Sequence, residues 1–476
     1  MNEMNIIVIV SDTFRWDFLG CYGNRWIQTP NLDKFAEKSI IFDRAYAGSF
    51  PTVPHRSDLF TGRYCFHTRG WAPLPPQEDT FPKMLRRAGY YTKMVTDTGN
   101  IVRGNMNFHL SFEDWEYISR DDLPEPEKDV KVPCPKYKFR FPERGYQLYP
   151  YLISLEEEEF FCARTMRRAA EWLEKNYTHD RFLLYVDTFD PHEPWLPPQE
   201  YIDLYDPDYR GKGDVVFFPR YDYADFLTDA ELKHMRALYA GMVTLVDKWI
   251  GFLLKRIDEL GLFENSAVIF TSDHGFYHGE HGRVGKHTVL NGRDNWPLYE
   301  EVSHIPLMMS LPDMPKGERC NALIQPVDLM ATILDLAKMP LPKNLHGRSV
   351  LPILEGNEEQ IREIAVSSGG PYFQKGSHCG VTRPPWLDLP PYMKPFVLSP
   401  DPNYISHSTI TDGKWALIYA TKGVHAELYN LRNDPKQKHN ALSENLAVAK
   451  RLHRKFYNFL RNIGASEEIL KLRREL

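Results

Sequence analysis

The chain has 476 residues, 42% hydrophobic and 26% charged, with a formal net charge of -6 and a pI near 6.3. These values fit a soluble globular protein too long for one small core, and length alone suggests about two to four folding units. The mild acidity gives no footprint for nucleic acid, so an enzyme acting on anions would need a local positive site of its own.

Six cysteines, Cys21, Cys65, Cys134, Cys162, Cys320 and Cys379, occur without a CxxC pair. They read as reduced thiols of a cytoplasmic protein, not as a disulfide framework or zinc knuckle. The start of the chain enters an apolar strand without a basic leader, and no uninterrupted apolar run approaches the roughly 18 residues of a membrane span.

In chain order, residues 5–12 are a run of Ile and Val too continuous for a one-sided sheet. Residues 31–38 have helical spacing after Pro30, and 40–46 read as a strand leading to a loop that carries Thr52. A helix is expected over 81–88 and a strand over 90–96. Residues 111–152, rich in Pro, charge and aromatics, read as an irregular insertion that shapes a cleft. An acidic-to-basic helix over 156–176 suits the helix dipole, and an apolar strand follows over 182–186. A second irregular stretch, 197–225, precedes a long helix over 229–260 and a strand over 267–271. This alternation predicts an α/β fold: a doubly wound, mostly parallel sheet with helices on both faces. Beyond about residue 364 the pattern changes to a hairpin at 408–419, a strand at 427–431 and an amphipathic helix at 443–463. The domains expected are 1–363, catalytic, and 364–476, a small antiparallel sheet with a helix.

Two short apolar runs, ending in Ser11-Asp12 and Ser272-Asp273-His274, look like buried strands that deliver ligands at their carboxyl ends. Either aspartate alone would pass for a helix cap; the matched pair argues for a metal. Two carboxylates, an imidazole and the Thr52 hydroxyl make a site for one divalent cation, Mn²⁺, Mg²⁺, Ca²⁺ or Zn²⁺. A hydroxyl is a weak nucleophile unless a metal or base activates it. Arg56, four residues after Thr52, is the expected clamp for a tetrahedral oxyanion. His192, in Asp190-Pro-His-Glu-Pro-Trp195, is suited to donating to a substrate oxygen or protonating a leaving group. Lys286 sits on a glycine-punctuated loop that brings a cation to an anion. His278, His281 and His287 crowd the same segment as substrate contacts, ligands of a second metal or ordinary loop residues; the pattern does not rank them.

These segments together resemble the sulfatase family of the alkaline phosphatase superfamily. The resemblance runs through Asp12-x-x-Arg-x-Asp17, Leu19-Gly-x-Tyr-Gly23, Thr29-Pro-Asn-Leu-Asp33, Pro54-x-Arg56 with Thr61-Gly-Arg-Tyr64, and Pro191-His-x-Pro-Trp195. It continues through Ser272-Asp-His-Gly275, Gly279-Glu-His-Gly282, Tyr299-Glu-Glu301 and Glu427-Leu-Tyr-Asn-Leu431. It implies a metal held by Asp12, Asp273 and His274, Thr52 as nucleophile, and Arg56, His192 and Lys286 around the ester; His281 is a further candidate substrate contact.

Three departures stand out. Thr52 occupies the place of the cysteine or serine that becomes formylglycine, so no formylglycine is expected there. Thr13 replaces a second aspartate, as in phosphonate monoester and phosphodiester hydrolases of the superfamily. Thr96-Asp-Thr-Gly99 replaces a lysine and histidine that contact sulfate.

The expected activity is hydrolysis of small phosphate, phosphonate or sulfate esters through a covalent threonine intermediate. A second metal at Asp190 or His281 would ease the breakdown of that intermediate. The rivals are a phospho- or sulfotransferase and a non-catalytic anion-binding homologue. Neither nucleic acid nor membrane is an expected partner, and a homo-oligomer is left open.

Overall fold

The computed structural model describes residues 4–119, 130–179, 181–286, 296–369, 407–420 and 426–476. His287 and Cys379 lie outside these residues, and the five described cysteines are free thiols. In chain order the strands are β1 (Asn5–Ser11), β2 (Ile40–Phe42), β3 (Tyr91–Thr96), β4 (Asp114–Tyr117), β5 (Phe182–Thr188), β6 (Asp222–Tyr223), β7 (Ser266–Ser272) and β8 (Tyr277–His278). They continue with β9 (Arg283–Gly285), β10 (Leu307–Ser310), β11 (Arg319–Cys320), β12 (Ala365–Ser368), β13 (His407–Thr411), β14 (Trp415–Ala420) and β15 (Glu427–Asn430).

Eight strands form one sheet in the order β11-β2-β10-β7-β1-β5-β3-β4. Within it β7, β1, β5, β3 and β4 run parallel, while β10 is antiparallel to both its neighbours. Side chains alternate across a strand, and β1 serves two cores. Ile7 and Ile9 join the core that includes Met166 of the helix Phe161–Asn176 and Leu238 of the helix Asp229–Glu259. Ile6, Val8 and Val10 join the other core with Leu59, Leu85 and Ile333, from the helices Thr52–Thr61, Phe81–Arg87 and Pro326–Leu336. This is the doubly wound sheet expected from alternation. A four-stranded antiparallel sheet, β12-β13-β14-β15, lies beyond it and packs with the helix Leu446–Asn462.

Several local expectations are corrected. The stretch 111–152 is not wholly irregular: β4 extends the main sheet, and Pro142–Ile153 is a helix. The second stretch, 197–225, holds a helical turn at Gln199–Asp203 and strand β6. The acidic triplet Glu157–Glu159 forms its own 3-10 turn, because Phe160 leaves helical geometry before the helix Phe161–Asn176 begins. The strand expected over 40–46 stops at Phe42, with Ala45 and Tyr46 making isolated bridges. Thr52 opens a helix where a loop was expected. All ten residues of Thr52–Thr61 are buried, so no amphipathic period marks that helix in the sequence. Asp229–Glu259 is long and apolar enough by composition to cross a membrane, and the fold buries most of its apolar window in the core.

Candidate active site

Strand register brings the acids together. Ser11 pairs with Ser272 across β1 and β7, so Asp12 and Asp273 leave the sheet at the same level. Asp12, Asp273 and His274 are fully buried, and their ligand atoms all lie within 4.8 Å of one another. His274 Nδ1 lies 3.0 Å from the Gly275 carbonyl oxygen. A proton on Nδ1 donates to that oxygen and leaves the Nε2 lone pair exposed for a metal. Nε2 is buried and makes no hydrogen bond. Burial, and then Lys286, hold the His274 pKa well below its ordinary value, which keeps the ring neutral as ligation requires. Burial and then Asp273 raise the Asp12 carboxyl above its ordinary range. A buried acid pair beside an orphaned imidazole nitrogen fits a divalent cation.

Backbone packing protects this placement. A Cβ on Gly275 would meet the Glu301 carbonyl oxygen at 1.9 Å, so only glycine lets the chain pass there after His274.

Thr13 ties the acids to the cation Lys286. Its φ of 63° lies in the left-handed region, unusual for a β-branched residue. Three bonds hold it there. Its N–H donates to Asp273 Oδ1 at 2.8 Å, its hydroxyl donates to Asp12 Oδ1 at 2.7 Å, and its carbonyl accepts from Tyr239 at 2.8 Å. Lys286 Nζ donates to the same Thr13 hydroxyl at 2.6 Å. Buried strain that is over-determined in this way tends to mark a functional site.

The helix Thr52–Thr61 brings Arg56 under the acids. Its Nη1 donates to Asp12 at 3.0 Å and to Asp273 Oδ2, while Nε and Nη2 hold Asp187 at 3.0 and 2.9 Å. The expected oxyanion clamp is therefore engaged elsewhere: Arg56 is fully buried and its fork answers three carboxylates. Three converging carboxylates need buried countercharge, and the planar guanidinium supplies one positive charge of it. One turn earlier, Thr52 opens the helix, and its carbonyl oxygen lies 3.4 Å from Arg56 Nη1.

Thr52, His192 and Lys286 line one cavity of about 570 Å³, together with the apolar side chains of Trp71, Leu148, Phe160, Phe161, Phe218 and Met242. His192 stacks on Phe189 at 3.9 Å, and its Nδ1 lies 2.7 Å from the Glu193 carbonyl oxygen. Burial, Lys286 and Arg140 depress its pKa well below the ordinary value, so the ring is neutral at neutral pH.

The other expected histidines lie apart from this cluster. His278 Nδ1 is 3.1 Å from Arg15 Nη1, within the apolar core. His281 stacks on Tyr299 at 3.7 Å, with Glu301 at 3.3 Å from its Nε2. Asp190 borders the cavity, but one of its carboxylate oxygens accepts the Cys162 N–H at 3.1 Å. Among the described residues neither Asp190 nor His281 joins a cluster of metal ligands.

Sequence reading missed four contributors. Asp187 ends β5 as Asp12 follows β1, and the same carboxyl-end rule would have found it. Asp97 follows β3 and accepts from Thr165 at 2.7 Å, Thr188 at 2.8 Å and the Phe189 N–H. Burial and the neighbouring Asp190 push its carboxyl up to about 8. Arg140 and Tyr221 come from the two stretches expected to be irregular and converge on Glu193. No local pattern announces them.

The Sulfatase family profile matches residues 4–339. An N-acetylglucosamine-6-O-sulfatase of Bacteroides thetaiotaomicron is 23% identical, covering 92% of this chain and 82% of its own. The crystal structure of a phosphonate monoester hydrolase of Agrobacterium radiobacter superposes with a TM-score of 0.73 at 21% identity, covering 97% of this chain and 96% of its own. A protein solved with its substrate D-glucosamine-2-N,6-O-disulfate gives a TM-score of 0.69 at 20% identity, covering 98% of this chain and 99% of its own. With a profile match spanning most of the chain and the same fold in these structures, the protein belongs to the sulfatase family.

Proposed function

We propose that the protein hydrolyses sulfate, phosphate or phosphonate esters through a covalent ester on Thr52. The observation that carries this reading is the convergence of Asp12, Asp273 and His274 beside Arg56, on a helix whose first residue, Thr52, shares a cavity with Lys286 and His192. A divalent cation held by Asp12, Asp273 and His274 would lower the pKa of the Thr52 hydroxyl and screen developing charge.

The chain's own groups divide the remaining work. Lys286, steadied by Thr13, faces the ester's non-bridging oxygens. Thr52 releases its hydroxyl proton to solvent as Oγ bonds to the sulfur or phosphorus. The bond to the leaving alkoxide breaks with its electron pair on that oxygen, which takes the proton that His192 Nε2 has picked up from solvent. Water then cleaves the threonine ester and restores the hydroxyl.

Aryl sulfate, phosphate monoester, phosphate diester and phosphonate monoester substrates, assayed with each candidate cation, test the reading. Thr52→Ala is expected to lose turnover by roughly three orders of magnitude or more. Asp273→Asn is expected to lower metal content measured on the purified protein. Full turnover by folded Thr52→Ala overturns the nucleophile assignment.

A further inference from the structure

His192 is followed by a glutamate whose side chain the reaction above does not use. Glu193 is 1% exposed, and its Oε2 lies 3.1 Å from His192 Nδ1. Its other oxygen, Oε1, accepts from Arg140 Nη1 at 2.8 Å and from the Tyr221 hydroxyl. Arg140 also donates to Tyr221 at 2.8 Å and lies over its ring, with Cζ 3.9 Å from the centroid. Oε2 is buried and makes no hydrogen bond. A buried carboxylate oxygen aimed at a ring nitrogen and fixed from behind by two other side chains is a placed group.

We infer that Glu193 is the positioning residue for proton transfer at His192, and that Arg140 and Tyr221 set its position. The inference rests on the esterase reading proposed above. Nδ1 keeps its proton toward the Glu193 carbonyl oxygen, with the carboxylate 3.1 Å from the same nitrogen, which turns Nε2 to the cavity. A bound anionic ester adds negative charge beside the ring and favours uptake of a solvent proton at Nε2. When the ester bond to the leaving group breaks, its electron pair stays on the alcohol oxygen. The Nε2 proton moves to that oxygen and leaves a neutral ring with Nδ1–H in place. The Glu193 carboxylate stabilises the charged ring between these two events, as an orienting acid does in hydrolytic triads.

Glu193 also lies within electrostatic reach of Lys286. A field effect on the anion site would change binding of every ester alike. Proton transfer differs, because it matters most when the leaving alcohol is a poor leaving group.

The test compares 4-nitrophenyl and benzyl sulfates, and the same pair of phosphonates, in wild type and Glu193→Gln. The expected result is a kcat loss for the benzyl ester roughly tenfold or more beyond that for the 4-nitrophenyl ester. Equal losses for both esters, or a change confined to KM, overturn the inference. Should Glu193→Gln lack a cooperative thermal transition, Glu193→Asp decides by the same ratio, since it keeps the charge and moves it away from Nδ1. Wild type inactive on these four esters and on the phosphate mono- and diesters named above overturns the esterase reading itself, and this inference with it.

Discussion

At the residue scale, the centre depends on side chains that each serve two partners. Thr13 is the plainest case, since its one hydroxyl donates to Asp12 and accepts from Lys286. Thr13→Val keeps the shape and removes both bonds. An unpaired buried group costs about 1–3 kcal/mol, so turnover is expected to fall roughly 10- to 100-fold with the fold intact. Steady-state kinetics beside a thermal melt check this; unchanged kcat/KM would remove Thr13 from the site. Asp12, Asp273, His274, Thr52, His192 and Lys286 were all legible in sequence, because strand ends and glycine loops advertise ligands locally. Arg56 was legible as a residue, and its carboxylate partners were not. Its role depends on Asp187, 131 positions away, and no local pattern records that separation.

At the element scale, legibility follows amphipathicity. The helix Asp229–Glu259 opens with Thr228, whose hydroxyl accepts from the Glu231 N–H at 3.2 Å while Glu231 accepts from the Thr228 N–H at 3.0 Å. This reciprocal cap satisfies two otherwise unpaired donors. Thr228→Ala is expected to cost about 1 kcal/mol, read as a lower midpoint in urea, with the helix start loosened in hydrogen exchange. The helix Thr52–Thr61 gave no such signal, being buried on every side between the sheet and the helix Pro326–Leu336. Its position is fixed from outside. Phe50 N–H donates to the Ser368 carbonyl at 2.9 Å, and Ser368 N–H donates to Gly48 at 3.0 Å. The edge strand β12 of the second sheet thus pins the segment entering Thr52.

At the scale of the whole molecule, buried acids make stability depend on pH. Asp58 accepts from the Ser49 N–H and hydroxyl, both at 2.7 Å, and from the Cys65 N–H at 2.8 Å. Burial still pushes its carboxyl up to about 7, and burial raises Asp247 to about 6. An acid with a raised folded pKa stabilises most below its unfolded value, and that contribution is lost as pH rises through the folded value. Between about pH 4 and pH 7 these two groups are expected to lower unfolding free energy by several kcal/mol. Urea titrations across that range measure the trend, and Asp58→Asn is expected to flatten it. A slope unchanged in Asp58→Asn would show that Asp58 ionises normally in the fold.

By itself the sequence determined the fold class and pointed to the strand ends that carry the candidate metal ligands, because periodicity and the carboxyl-end rule are local consequences of backbone geometry. The family followed from motifs that could be read without coordinates. Only the tertiary structure decided which charges meet. It gave Arg56 to three carboxylates, set Glu193 behind His192, and turned two apparently irregular stretches into a helix, an added strand and the Arg140–Tyr221 clamp. Such pairings are chosen by the cost of leaving a buried charge or donor unpaired, and that cost exists only after the chain has closed around it.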